Sequence, residues 1–160
     1  WTGARRRPVS CGWRFVKGSP SMAEVDPTEE PSQRWLRWAD EDLVAAGHSA
    51  ADAEVAPRVA CGMAQQAAEK AIKALLVAAD VDPPKSHNLL RLARMLAEEQ
   101  ARLLLEVDLE ELTRWATEGR YPEDLDEATT SDAARGVELA RQVTALAHRA
   151  LEEGKTDGGQ

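Results

Sequence analysis

The stretch that decides the fold runs from Gln65 to Leu76 and reads QQAAEKAIKALL. It lies inside a longer run, 58–79, in which apolar side chains return at steps of three and four residues, as one face of an α-helix requires. Pro57 can occupy the first turn of such a helix, and the proline pair at 83–84 cannot continue it. The sequence therefore predicts a long central helix with a wide buried face.

Polar side chains follow the same run at four-residue steps. Gln65, Glu69 and Lys73 share one side of the predicted helix. Glu69 precedes Lys73 by four residues, which is the favourable order for a weak ion pair on a helix surface. We expect this strip to be the outer, solvated side of the central helix.

Four further helices are predicted from apolar spacing and from cap residues. No segment alternates apolar and polar residues with the β-branched content of a strand, so the predicted fold class is all-α, an antiparallel bundle of four to five helices. The predicted ranges are 33–50 after an N-cap at Ser32, 86 to about 100 or 105 after an N-cap at Ser86, 108–119 after a capping-box-like start at Asp108, and 131–154.

Composition sets the predicted boundaries of this domain. Residues 33–154 are expected to form the helical domain, 22–32 a flexible acidic arm, and 155–160 a disordered tail. Residues 1–21 carry five basic side chains and no acid, and they show no amphipathic period. Because Met22 precedes an acidic segment, we expect 1–21 to be a disordered leader that is non-native or translated from upstream sequence. An organellar transit peptide is the alternative interpretation.

The net charge argues against one class of partner. The whole chain carries −8 and residues 1–21 carry +5, so residues 22–160 carry −13. Phosphate backbones are repelled by such a surface, which disfavours broad, sequence-independent nucleic-acid binding.

A soluble protein of a reducing compartment is expected, and we predict a cytoplasmic location. No run approaches the roughly eighteen apolar residues of a membrane span. The two cysteines, Cys11 and Cys61, lie in unlike settings, one in a polar leader and one in a helical run, which disfavours a disulfide. The three histidines lie far apart, so no metal site is predicted.

The order of four short motifs resembles one known family. The QQAAEKAIKALL stretch is preceded by ADEDL at 39–43 and followed by SHNL at 86–89 and by RYP at 120–122. Together they resemble the HEPN domain (higher eukaryotes and prokaryotes nucleotide-binding). The resemblance covers nearly all of the predicted domain.

The resemblance implies several functions. HEPN domains are helical bundles, often homodimers, frequently encoded beside a minimal nucleotidyltransferase and sometimes part of a toxin–antitoxin pair. The resemblance therefore suggests a nucleotide-binding or partner subunit that acts with such a nucleotidyltransferase. A ribonuclease toxin and an orphan structural domain are the alternatives.

The ribonuclease alternative rests on an Arg followed after four to six residues by a His. Arg141 and His148, with six residues between them, fit this pattern, and a separation of seven places them near one side of the last helix. About one such match is expected by chance. We expect the family's catalytic Arg near Arg120, but the residues at 125–127 after it are Leu, Asp and Glu. The sequence therefore favours Arg141 and His148 as a solvated surface pair.

A phosphate or nucleotide site is predicted on the one net-positive stretch of the domain. Basic side chains cluster between 70 and 94, and two of them lie at the predicted start of the third helix, where backbone N–H groups favour an anion. No cofactor is required, and ATP or GTP is the expected ligand. The ordinary alternative is that these are solvated or capping side chains. The predicted binding residues are Lys70, Lys73, Lys85, His87 and Arg120, with Arg91 and Arg94 nearby.

Overall fold

The computed structural model describes residues 28–117 and 127–157, and within these ranges every regular element is an α-helix. This confirms the predicted all-α class. Six helices occupy the described part of the chain: α1 Pro31–Ala51, α2 Pro57–Ala78, α3 Leu89–Ala93, α4 Glu98–Leu105, α5 Leu109–Thr117 and α6 Thr130–Asp157. The predicted site residue Arg120 and the predicted end of the fourth helix at Gly119 lie outside the described residues.

The central helix α2 organises the bundle. It contacts α1, α3, α5 and α6, and thirteen of its twenty-two residues are buried. Seven of those thirteen are alanine or cysteine, whose short side chains allow neighbouring helix backbones to approach closely. The larger buried side chains, among them Ile72 and Leu76, fill the remaining space.

Helix α1 begins two residues before its predicted start. Pro31 occupies its first turn, where the missing N–H costs no hydrogen bond. Ser32 therefore lies inside the helix, and the predicted N-cap is wrong; the N-cap residue is Glu30, which makes no side-chain capping bond. Just before it, Glu29 accepts hydrogen bonds from Arg34 and Arg37.

The predicted third helix is divided into α3 and α4. The chain leaves the α-helix after Ala93, where Met95 and Leu96 donate their backbone N–H groups to carbonyls only three residues back. Leu92, Leu96 and Leu104 are all buried and keep helical spacing across the break. The apolar period therefore gives no sign of the interruption.

The start of α3 also differs from the prediction. Asn88, not Ser86, is the N-cap, and its side chain accepts a hydrogen bond from the Arg91 N–H at 2.8 Å. The Leu89 N–H donates to the Thr113 hydroxyl at 3.1 Å, and the Asn88 N–H donates to the Ser86 hydroxyl at 3.3 Å. Three backbone donors at this terminus are thus already used within the fold.

Side-chain caps open the last two helices. Asp108 accepts a hydrogen bond from the Glu111 N–H at 3.1 Å, in agreement with the predicted start of α5. At α6 the Asp132 carboxylate accepts from the Thr129 N–H at 2.8 Å, and the Thr129 hydroxyl accepts from the Asp132 N–H at 3.2 Å. This reciprocal pair is a capping box, and α6 continues from it to Asp157, beyond the predicted end at 154.

The three tryptophans within the described residues occupy different environments. Trp115 is buried in a small cluster with Cys61, and its indole N–H has no acceptor among the described residues. Trp35 is half-buried, whereas Trp38 is 41% exposed. No helix within residues 28–117 and 127–157 combines the length and the apolar content needed to cross a bilayer.

Replacing a core leucine of α2 tests the packing. Leu76 has no exposed surface, so Leu76→Ala removes buried apolar contacts and leaves a cavity. We expect the free energy of unfolding to fall by about 2–5 kcal/mol, measured by urea denaturation. Leu105→Ala is the matched control, because Leu105 is 41% exposed. A loss below about 1 kcal/mol for Leu76→Ala would contradict the burial of α2.

Candidate functional site

A strip of polar side chains lies inside the bundle rather than on its surface. Gln65, Glu69 and Lys73 on α2 are only 3%, 8% and 8% exposed. The prediction that this strip is the solvated side of the helix is wrong. It is covered by Trp35 of α1 and by His87 of the segment that precedes α3.

The Glu69 carboxylate is the centre of this strip. Its Oε1 accepts a hydrogen bond from the Lys73 ammonium at 2.7 Å, and its Oε2 accepts one from the Gln65 amide at 2.9 Å. The His87 ring lies against the same carboxylate, with Nδ1 at 3.0 Å from Oε2. The Gln65 amide also reaches the backbone carbonyl of His87 at 3.4 Å. We refer to Gln65, Glu69, Lys73 and His87 as the Glu69 cluster.

Burial and hydrogen bonding act in opposite directions on the Glu69 carboxyl. Desolvation raises its pKa, whereas the hydrogen bonds from Lys73, Gln65 and His87 stabilise the carboxylate. The hydrogen bonds prevail, and the pKa of Glu69 is lowered from its ordinary value of 4.5. The carboxylate is therefore ionised at neutral pH and compensates the buried Lys73 ammonium.

An aromatic ring completes the environment of Lys73. The ammonium lies 5.6 Å from the centre of the Trp35 ring, within the range of a cation–π contact. Trp35 in turn meets Trp38 edge-on, with ring centres 6.3 Å apart. The cation is thus held between a carboxylate on its own helix and an indole on α1.

His87 is the part of the cluster that reaches solvent. Its side chain is 57% exposed, whereas that of Glu69 is 10% exposed. Because Nδ1 faces Glu69, the other ring nitrogen, Nε2, is the one that Glu69 leaves available. A carboxylate that accepts from one imidazole nitrogen fixes the tautomer and favours the other nitrogen as a proton or ligand acceptor.

The other predicted phosphate-binding residues are dispersed. Lys70 forms an ion pair with Asp42 of α1. Lys85, Arg91 and Arg94 are exposed. The start of α3, expected to offer free N–H groups to an anion, has three of these donors occupied by Ser86, Asn88 and Thr113 side chains.

The structure does not join Arg141 to His148. The Arg141 guanidinium pairs with Glu138, one turn earlier on α6. The His148 ring crosses to α1, where Nε2 lies 2.9 Å and 3.1 Å from the two Asp40 carboxylate oxygens. The two side chains therefore have separate carboxylate partners, Glu138 and Asp40.

Sequence reasoning overlooked Gln65, Glu69 and Trp35 as a site. One signal was available: α2 is apolar around most of its circumference, and such a helix is usually buried on all sides. Polar residues placed in such a helix are then expected to be satisfied internally. The partners of the predicted cations, Asp40 and Asp42, carry no such signal, because they lie on another helix.

Comparison with known proteins identifies the fold. The HEPN domain family matches residues 32–151. The chain belongs to the HEPN family. No protein with a curated description matches it.

Two solved structures share this HEPN fold. The protein TT1696 from Thermus thermophilus has 26% sequence identity and a TM-score of 0.64, over 74% of this chain and 96% of that one. ST0689, described as an archaeal HEPN homologue, has 24% identity and a TM-score of 0.60, over 76% of this chain and 98% of that one. The second likeness concerns the fold alone.

Removal of the buried carboxylate tests the Glu69 cluster. Glu69→Gln leaves the Lys73 ammonium buried without its counter-charge, and we expect a loss of about 3–5 kcal/mol in the free energy of unfolding. Glu106→Gln is the matched control, because Arg102 and Glu106 form an i,i+4 pair whose side chains are both 64% exposed. That change should cost less than about 1 kcal/mol. Equal losses in the two variants would contradict the buried cluster.

The same cluster predicts a pH dependence. Because the pKa of Glu69 is lower in the folded protein than its ordinary value of 4.5, its contribution to stability is present above pH 4.5 and is lost as the pH falls through the folded value. The wild type should therefore lose more stability than Glu69→Gln between pH 6 and pH 3, measured by denaturant unfolding at each pH. Parallel pH profiles for the two proteins would contradict the lowered pKa.

Proposed function

We propose that this HEPN protein is a homodimeric binding subunit that acts with a minimal nucleotidyltransferase in a toxin–antitoxin-type pair, and that it does not cleave RNA. One observation carries the proposal. Four of the side chains that would serve phosphate or RNA chemistry are held by carboxylates of the same chain: Lys70 by Asp42, Lys73 by Glu69, Arg141 by Glu138 and His148 by Asp40.

These ion pairs lower the attraction for phosphate. A cation beside its own carboxylate presents little net charge to a ligand, and a phosphate must compete with that carboxylate for its hydrogen bonds. For Lys73 the competition includes burial, because its side chain is only 10% exposed. The net charge of −13 on residues 22–160 adds long-range repulsion of polyanions. A protein surface with basic groups is a better electrostatic match than RNA.

The ribonuclease alternative is tested directly with labelled single-stranded RNA. We expect no cleavage above the buffer control by the full chain, because Arg141 and His148 have separate carboxylate partners. His148→Ala and Arg141→Ala should behave as the wild type does. Cleavage by the wild type that either substitution abolishes would overturn the proposal in favour of a metal-independent nuclease.

The partner role is tested by co-expression with a minimal nucleotidyltransferase encoded beside this protein. The proposal predicts a complex that survives size-exclusion chromatography, and a homodimer of the HEPN chain alone in sedimentation. A neighbouring nucleotidyltransferase that remains separate at micromolar concentration would contradict the partner role.

A nucleotide ligand is the second candidate function, and His87 favours it. Lys85 and His87 are both exposed, and Glu69 orients the His87 ring, so these two side chains can meet a phosphate without breaking a buried pair between Glu69 and Lys73. The proposed nucleotide is ATP or GTP. Arg120, the remaining predicted residue, lies outside the described residues.

Calorimetric titration tests nucleotide binding. We expect heat of binding for ATP or GTP at millimolar concentration and its loss in the Lys85→Ala, His87→Ala double variant. Arg58→Ala, which removes an exposed cation at the start of α2, is the control and should retain the heat. Absence of heat in the wild type would remove the nucleotide from the proposed function.

A further inference from the structure

A groove runs along α6 on the side that faces α4. Three adjoining clefts, of about 740, 450 and 570 Å³, form it in sequence. The first two share Leu103 and Leu146, and the last two share Gln100 and Ala150. On α6 the lining extends from Gln142 to Gly154, which corresponds to a length of about 18 Å. We call this surface the α4–α6 groove.

The floor of the groove is apolar. Leu103 of α4 and Leu146 of α6 both line it, and both are only half-buried. Val107 closes one end and Leu151 lines the other. Apolar side chains that remain partly open along a continuous groove are typical of a surface that a partner covers.

The rim of the groove is acidic. Exposed carboxylates stand along it at Glu30, Asp80, Glu99 and Glu106, of which Glu106 pairs with Arg102. Against them stands one guanidinium, that of Arg149. The remaining basic group of the lining, the His148 ring, is held by Asp40. The groove therefore combines an apolar floor with a negative border.

From this combination we infer that the α4–α6 groove binds a cationic amphipathic helix of a protein partner. An 18 Å groove accommodates three turns of helix, whose apolar residues at positions i, i+3, i+4 and i+7 would meet Leu103 and Leu146. Lysine or arginine on the flanks of that helix would meet the acidic rim. The inference rests on the proposed partner role and specifies the chemistry of the contact.

Other occupants match the groove less well. Anionic lipid headgroups and nucleic acids would be repelled by the acidic rim. A second copy of this chain, with a net charge of −13 on residues 22–160, would bring like charge against the acidic rim, so the proposed homodimer would use another surface. A basic amphipathic helix is complementary to both parts of the groove: its apolar side to the floor and its positive charges to the acidic rim.

A designed peptide is the direct probe. We would use a fluorescein-labelled peptide of about sixteen residues with leucine at helical a and d positions, lysine elsewhere and blocked ends, and titrate the full chain by fluorescence anisotropy. The expected result is saturable binding that weakens as salt rises. A charge-reversed peptide with glutamate in place of lysine should bind at least about tenfold more weakly. Equal binding of the two peptides, or no binding, would overturn the inference.

Substitutions locate the binding. The Leu103→Gln, Leu146→Gln double variant should weaken binding of the lysine peptide about tenfold or more, because two central apolar contacts are lost. Leu105→Gln is the control: it lies on the same helix α4, is exposed, and does not line the groove. Circular dichroism verifies that each variant is folded. Unchanged binding by the folded double variant would overturn the inference.

Two further outcomes are distinguishable. If the double variant converts a homodimer to a monomer in sedimentation, the groove is a self-interface and the inference is overturned. If the neighbouring nucleotidyltransferase binds the wild type and the double variant equally, the partner role stands and the groove is not its contact. If no nucleotidyltransferase complex forms, the partner role fails, while the peptide titration still decides what the groove binds.

Discussion

The burial of α2 on nearly all sides is the constraint on which the rest of the structure depends. The polar side chains on the enclosed faces of such a helix have little access to solvent, so each of them must find a partner inside the bundle. The Glu69 carboxylate meets this requirement for Gln65, Lys73 and His87 together. Trp35 of α1 covers the lysine, and the segment before α3 brings the histidine. The polar strip thereby fixes how α1 and α3 are placed against α2.

The same constraint governs what the basic residues are able to do. Lys70 and Lys73, which the sequence suggests as phosphate-binding residues, instead pair with carboxylates of the same chain. The surface retains an imidazole with one oriented nitrogen, the exposed cations Lys85, Arg91 and Arg94, and an apolar groove with an acidic rim. Such a surface is suited to binding.

The periodic apolar spacing of α2 was sufficient to predict the helical class. This spacing is a local property of the sequence and does not depend on which helices pack against α2. It was insufficient at Leu92–Leu104, where buried leucines keep the period through a break in the helix. Pairs such as His148 with Asp40, separated by 108 residues, depend on how helices are arranged, and no local pattern records that arrangement. The start of α6, in contrast, was predicted at 131 and lies at Thr130, although its Thr129–Asp132 capping box was not recognised.

The most direct test of this account is a double-mutant cycle between Glu69 and Lys73, built from Glu69→Gln, Lys73→Met and the double variant, with free energies of unfolding from urea denaturation. A buried, compensated pair predicts a coupling energy of about 2 kcal/mol or more, with the double variant more stable than either single one. A coupling near zero, as is typical of exposed helix pairs, would contradict the enclosure of α2 and the assignment of these charges to the interior.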